Sequence, residues 1–320
     1  MRLRGFEGFI ASLALVTLGP AASAAPLMDW PDLLGRPMPA PTREIAYGPL
    51  PEQVADLWLP AGQGPFPVVL MVHGGCWRSG VAKLTIMNYA AEDLRRRGIA
   101  VWNIEYRGVD RPGGGYPGTF QDVAAAADKL ATIAPAYHLR TDHVVAFGHS
   151  AGGQLGLWLA ARRRVPAASP LRSSRPLPIA AVVSSGGLPD LEAVHAQDIC
   201  GADNVETLVG PSSARRPDVY ADTSPAELGV GSDVERLISG DQDPIAPPAL
   251  AGAYTAKMRG RGAHINALTV PNTGHVELIS PGTVAWARTV RTIQALLRRQ
   301  PDARQPTDPG RRRAAGRSAR

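Results

Sequence analysis

The sequence predicts an α/β fold: a mostly parallel, eight-stranded sheet with helices on both faces and a small insertion over the site. Three observations carry this. Strand-length apolar runs alternate with helix-length patterns, as in chains that cover a parallel sheet on both faces. Pro67 to Val72 (PVVLMV) is continuously apolar, as a central strand buried on both sides must be. The length, 320 residues, suits one large α/β domain that needs neither metal nor disulfide to fold.

The elements follow in order. Arg43 to Tyr47 and Gln53 to Leu59 read as a leading antiparallel pair, and Pro67 to Val72 as the first central strand. Leu84 to Arg97 is helical and ends at Gly98; Ile99 to Ile104 (IAVWNI) is the next buried strand. Thr119 to Ala134 is an Ala-rich helix, expected to be capped by Thr119 with Asp122 in its first turn. His143 to Phe147 is a strand and Gly152 to Arg164 a helix with Leu155, Leu157, Trp158 and Leu159 facing inward. Ile179 to Val183, Val234 to Ile238 and Ile265 to Val270 are strands; Pro247 to Arg259 and Thr283 to Arg298 are helices. Two stretches break the rhythm. Val165 to Pro178 is rich in Pro, Ser and Arg, and residues 186–231 form a weakly periodic segment long enough to be functional. The latter is expected to be an insertion over the active site.

The ends differ from the body. Arg2 and Arg4 precede an apolar run, Phe9 to Leu18, and Ala22-Ser23-Ala24 offers a small-x-small cleavage site, so residues 1–24 read as an export signal leading to the periplasm or beyond. The run is too short to span a bilayer, and no later stretch is transmembrane in character. Residues 25–42 form a Pro-rich surface lead-in. The net charge is +6, but residues 301–320 hold six Arg and two Asp and the first 24 residues add one net positive charge, which leaves the body at +1. The basicity belongs to an Arg-rich tail, 300–320, that reads as disordered, so no nucleic-acid partner is expected. Two cysteines, Cys76 and Cys200, could pair in an exported protein or remain free. Sequence separation does not decide between these, because pairing depends on Cα distance; the reading leans slightly to free thiols.

Gly148-His149-Ser150-Ala151-Gly152 is a G-x-S-x-G pentapeptide after an apolar strand and before a helix, the strand–turn–helix context of a nucleophile elbow. The turn is so tight that positions 148 and 152 must lack side chains, and the strained serine projects its hydroxyl above the sheet. A serine needs a base. Downstream of Ser150 stand His195, His264 and His275. His195 lies in the irregular segment and His264 at the wrong end of a strand. His275 follows the strand INALTV and so sits at a carboxyl end, where sites in open α/β sheets gather. The acid should follow the preceding strand, where Asp241 and Asp243 both qualify.

His73-Gly74-Gly75-Cys76-Trp77 follows PVVLMV. Its glycines let backbone approach a substrate closely, so N–H groups of Gly75 or Cys76, joined by that of Ala151, are the expected oxyanion donors. The His73 side chain is expected to brace this loop rather than to react. Trp77 is expected either to line the substrate pocket or simply to pack.

The combination HGGCW, GHSAGG, GDQDPIAP and TGH resembles the α/β-hydrolase superfamily, and within it the HGG-type esterase and lipase branch. The segments Asn103-Ile104-Glu105-Tyr106-Arg107, Tyr116-Pro117-Gly118 and Gln121-Asp122-Val123 are similar to that branch too, and kynurenine formamidase-like and prolyl-oligopeptidase-like hydrolases share such segments. The match spans Arg43 to Arg298. The resemblance implies Asp243 as the acid, because it stands just ahead of a Pro that opens the next helix, with Asp241 structuring the loop. It also implies a serine hydrolase acting on small carboxylic esters, or alternatively on amides, formamides or peptides, with no metal and no organic cofactor. Oligomeric state is not legible.

Overall fold

The structure is a computed structural model that describes residues 26–299. The expected export signal and the Arg-rich tail lie outside the described residues. Among these residues, eight strands form one sheet: β1 (Arg43–Ala46), β2 (Val54–Trp58), β3 (Phe66–Val72), β4 (Ala100–Ile104), β5 (Leu139–His149), β6 (Ile179–Ser185), β7 (Val234–Gly240) and β8 (Ile265–Val270). Their spatial order is β1-β2-β4-β3-β5-β6-β7-β8. β2 runs antiparallel to β1 and β4, and every pair from β4 to β8 is parallel. The fold is that of the α/β hydrolases.

The helices are α1 (Trp30–Leu34), α2 (Asn88–Arg96), α3 (Gly118–Ile133), α4 (Ala151–Ala161), α5 (Leu191–Ala196), α6 (Ala202–Val209), α7 (Pro225–Leu228), α8 (Pro248–Gly260) and α9 (Val284–Leu297). Side chains of a strand alternate between faces, and β3 divides its residues accordingly. Val68, Leu70 and Val72 enter a core with Phe120 and Val123 of α3, Leu155 and Trp158 of α4, and Tyr254 and Met258 of α8. Val69 and Met71 enter a second core with Ala90 and Leu94 of α2 and Trp286, Val290 and Ile293 of α9. α4 is buried all round rather than on the one face expected, because it is packed between the sheet and the insertion.

Four expectations are corrected. The lead-in is not wholly irregular: α1 forms there behind a capping box between Asp29 and Asp32, and Leu33 is buried. That helix is a single short turn, below the length at which periodicity signals a helix. Thr119 does not cap α3, which starts one residue earlier; its hydroxyl instead accepts from Gly115 N at 3.0 Å and donates to the Arg107 carbonyl. Leu84–Met87, the start of the helix expected at Leu84, is a 3-10 turn ahead of α2. Cys76 and Cys200 form a disulfide, with Cα atoms 5.3 Å apart across a sequence separation of 124. Folding brings the α5–α6 link against the loop after β3, a proximity that chain distance hides. In the chain-entropy view, closing so long a loop is worth about 4–5 kcal/mol.

The segment 186–231 carries α5, α6 and α7 and is pinned by one buried carboxylate. Asp222 Oδ1 accepts from Arg216 at 2.7 and 2.9 Å. Its Oδ2 accepts from Tyr116 Oη at 2.9 Å and from Ser169 Oγ at 2.6 Å, and its carbonyl accepts from Trp158 Nε1 at 2.9 Å. The Arg216 guanidinium also sits 3.8 Å above the Tyr116 ring. Breaking such a buried pair from one side leaves an uncompensated charge. Asp222→Ala is therefore expected to cost about 3–5 kcal/mol, read as a fall in the chemical-denaturation midpoint; a loss under about 1 kcal/mol would contradict the assignment.

Two buried carboxyls bear on pH. Burial raises Asp56 to about 6, helped by Glu44 and Glu105. Burial also raises Glu235 to about 6, partly offset by the hydrogen bond from Tyr254. A carboxyl raised by folding binds its proton more tightly folded than unfolded, so stability falls as pH climbs from the unfolded value near 4 through 6 and then levels off. Urea midpoints at pH 4.5 and 7.5 should show this loss, and Glu235→Gln should shrink it. An unchanged difference in the variant would refute the link.

Candidate active site

The nucleophile turn is built by exclusion. Ser150 sits between β5 and α4 with φ 56 and ψ −126, a backbone region costing of order 1–3 kcal/mol for a non-glycine residue. A Cβ at Gly148 would lie 2.0 Å from the Gly152 carbonyl oxygen, and one at Gly152 would lie 2.1 Å from the Val72 oxygen and 2.4 Å from the His73 oxygen. Both positions must be glycine, as the pentapeptide predicts. Ser150 N donates to the Ser185 carbonyl at 3.0 Å, which ties the turn to the end of β6.

The loop after β3 lies against this turn. A Cβ at Gly74 would fall 2.8 Å from Ser150 Cβ, so the backbone approaches Ser150 only because that side chain is missing. Gly75, Cys76 and Trp77 then take three consecutive left-handed conformations, at φ 106, 51 and 55. Among the described residues no group accepts from the N–H of Gly75, Cys76 or Ala151, which leaves them free to meet a developing negative charge.

The loop is braced from beneath by His73 and by two partners, Glu105 and Tyr106, to which the sequence assigns no such role. His73 Nε2 meets Glu105 Oε1 at 2.7 Å, its Nδ1 meets the Gly74 carbonyl at 2.7 Å, and its ring stacks on Tyr106 at 4.4 Å. Glu105 further accepts from Leu84 N and Tyr106 N. Burial alone would raise the Glu105 carboxyl, but the His73 ring and these N–H groups bring it below its ordinary value. The bracing role expected of His73 is what the geometry supports. A lone Glu ending an apolar strand, in Asn103-Ile104-Glu105, was the available signal for its partner.

His275 follows β8. Its Nδ1 lies 2.7 Å from Asp243 Oδ2, and Asp243 Oδ1 accepts from Ile245 N and Ala246 N, both at 2.9 Å. The carboxylate is thus oriented by its own loop, and the imidazole keeps Nε2 for other work. Asp241 instead accepts from Thr273 N at 3.1 Å and structures the loop. The ring also lies against Gly186, where a Cβ would come within 3.1 Å of it. Ser150, Asp243 and His275 are 2%, 4% and 6% exposed, so each of the three side chains is largely withdrawn from solvent. Of the other two histidines weighed, His195 pairs with Glu206 at 3.1 Å on an exposed helix face.

The neighbouring His149 is a further residue the sequence did not single out. Its Nε2 meets the His275 carbonyl at 3.1 Å, and the two rings lie 4.3 Å apart. Burial and the nearby His275 hold His149 well below its usual value, so it stays neutral and donates from Nε2. Trp30 of α1 stands edge-on to both rings, at 6.3 Å from His149 and 6.5 Å from His275. Met28 N donates to Glu277 Oε1 at 2.6 Å, and Gly274 N to Glu277 Oε2 at 3.1 Å. The lead-in thereby braces the histidine loop.

Of the two roles left open for Trp77, the structure takes packing. Its indole is fully buried in the α3–α4 core and donates to Gln154 Oε1 at 3.1 Å. The left-handed turn at Cys76 and Trp77 turns the side chain into the core; that backbone conformation is invisible in the residue types.

Comparisons with known proteins agree with this architecture. A family model described as BD-FAE matches residues 55–258. No curated protein matches significantly. Among solved structures, a truncated form of a carbohydrate esterase from gut microbiota superposes with a TM-score of 0.68 at 20% identity, over 81% of this chain and 98% of that one. Esterase B from Lactobacillus rhamnosis (HN001) gives 0.66 at 21% identity over 82% and 88%. A bacterial heroin esterase gives 0.60 at 22% identity over 80% and 83%. At these identities the superpositions speak for the fold, while the family match covers more than half of the chain: the protein belongs to the BD-FAE family.

Proposed function

We propose that the protein is a serine hydrolase that cleaves carboxylic esters through an acyl-enzyme, with Ser150 as nucleophile, His275 as base and Asp243 as the acid that orients it. The observation that carries the reading is the 2.7 Å contact between His275 Nδ1 and Asp243 Oδ2, together with a serine held at positive φ in a turn that only glycines at its flanks allow.

In this reading Ser150 Oγ attacks the ester carbonyl and its proton passes to His275 Nε2. Asp243 holds the Nδ1–H tautomer and stabilises the imidazolium without becoming protonated. The tetrahedral oxyanion accepts from Ala151 N–H at the start of α4 and from Gly75 or Cys76 N–H, donors each worth about 10²–10³ in rate. The helix end adds its positive dipole. The imidazolium protonates the departing alcohol, and the same base then activates water to release the acid. Ester-cleaving enzymes among the structural neighbours, one a carbohydrate esterase, make a small ester carried on a sugar a fitting first substrate. The disulfide suits an oxidising compartment, in keeping with an exported protein.

Ser150→Ala is expected to lower kcat for a short p-nitrophenyl ester by about 10⁴–10⁶, and Asp243→Asn by about 10⁴, while Asp241→Asn loses less than about tenfold. A fluorophosphonate should label the wild-type protein at Ser150 and leave the alanine variant unlabelled. Folded wild-type protein that stays unlabelled, or that turns over N-formyl or peptide substrates far faster than esters, would remove the ester reading.

A further inference from the structure

We infer that the Cys76–Cys200 disulfide is a positioning element of the oxyanion site: it holds the left-handed turn that presents the N–H groups of Gly75 and Cys76, so that full activity requires the oxidised pair. This rests on the ester-hydrolase reading above, and it gives the cysteines a part in the chemistry beyond that of a staple.

The argument starts from how the loop is anchored. On its amino-terminal side, His73 is locked by Glu105, by the Gly74 carbonyl and by Tyr106. On its carboxyl side, the Trp77 indole is held by Gln154, and its carbonyl accepts from Val109 N at 2.7 Å. Between these anchors lie Gly75 and Cys76 at φ 106 and 51. Among the described residues, no hydrogen bond is made by the N–H of either one. Those N–H groups have to stay unpaired to serve an oxyanion, so hydrogen bonds of their own cannot be what fixes them. The turn is closed across Cys76 and Trp77 by Arg78 N donating to the Gly75 carbonyl at 2.9 Å, and the side chain of Cys76 is a second handle on it, covalently attached to Cys200.

The far end of that handle is itself rigid. Cys200 stands in a short left-handed link with Asp198 and Gly201, at φ 68, 53 and 86. Asp198 Oδ1 accepts from Ala202 N at 2.7 Å, and the Cys200 carbonyl accepts from Asn204 Nδ2 at 2.6 Å. α6 is joined to the loop before α3 by Tyr116 N donating to the Thr207 carbonyl at 3.1 Å, and Asp222 secures the segment behind it. The insertion is thus a fixed post, and the disulfide transmits that fixity to a non-glycine residue at an unfavourable backbone angle. With the bond cut, Cys76 is free to relax toward negative φ, which turns its peptide plane and re-aims the N–H. Reduction by a dithiol breaks the one S–S bond, forms two thiols and leaves the dithiol as its own cyclic disulfide.

The test uses the mature full-length chain in three forms: oxidised, reduced with dithiothreitol and verified as dithiol by alkylation and mass, and Cys200→Ser. Each is assayed for p-nitrophenyl acetate hydrolysis, for inhibition by a trifluoromethyl ketone, which binds as a tetrahedral oxyanion, and for folded signal by circular dichroism. Reduction and Cys200→Ser should each lower kcat by about 10-fold or more, a part of the range one misplaced donor can cost, with KM changed less than about threefold. Trifluoromethyl ketone affinity should fall in step with kcat/KM, and reoxidation should restore the reduced sample. A merely structural cross-link predicts a lower melting temperature with kcat unchanged at 25 °C, and that result would overturn the inference. If Cys200→Ser does not fold, reduction of the folded enzyme decides: activity lost with circular dichroism intact supports the inference, and both lost together refutes it. Oxidised protein that hydrolyses no ester would overturn the underlying reading and this one with it, whereas active oxidised protein indifferent to reduction overturns this one alone.

Discussion

The contact on which the rest depends is backbone against backbone at the carboxyl end of β3. There the turn holding Ser150 meets the chain leaving Val72, and the gap at Gly152 is too small for a single carbon atom. Because no side chain intervenes, the loop after β3 and the turn after β5 are placed relative to each other by the parallel pairing of β3 with β5 itself. Sheet register therefore becomes site geometry directly. Parallel strands buried on both faces slip little, since a one-residue shift would move Val69 and Met71 into the space filled by Val68 and Leu70.

Around that contact, two polar pairs are buried. The His73–Glu105 pair supports the loop after β3, and Asp243 holds the ring of His275, the proposed base. The two differ in a way that fits their roles. Glu105 accepts from His73 and from two backbone N–H groups, all of them part of the loop and its surroundings. Asp243 spends one oxygen on its own loop and the other on an imidazole whose second nitrogen stays available. His149 joins these halves: it belongs to the nucleophile turn and donates to the carbonyl of His275, and its burial keeps it neutral, so it adds no positive charge beside the base.

The insertion between β6 and β7 has a scaffold of its own, centred on Asp222, rather than being an irregular flap. Its buried, paired carboxylate ties together a segment that the sequence shows only as weakly periodic. This bears on the site, because the α5–α6 link is bonded through Cys76 to the loop of proposed oxyanion donors. The amino-terminal lead-in plays a parallel part on the other side, bracing the histidine loop through Met28 and Trp30.

Most of the architecture was legible in the residues alone. Eight strands, their order of appearance and the helices α2, α3, α4, α8 and α9 follow from the alternation of apolar runs, because burial in this fold is periodic and local in sequence, whereas α5, α6 and α7 were not legible in their weakly periodic segment. The nucleophile turn was legible for the same kind of reason: its glycines are demanded by steric contacts within five residues. The acid and base could be narrowed by their places after β7 and β8, since carboxyl ends of parallel strands converge on one rim. What tertiary structure alone decided was everything that depends on a distance across the fold or on a backbone angle at an ordinary residue. The pairing of Cys76 with Cys200, the burial of Trp77 by the left-handed turn, the Glu105 brace, the docking of α1 and the Asp222 anchor all join segments far apart in the chain. Their residue types are compatible with many partners, and only packing chooses among them.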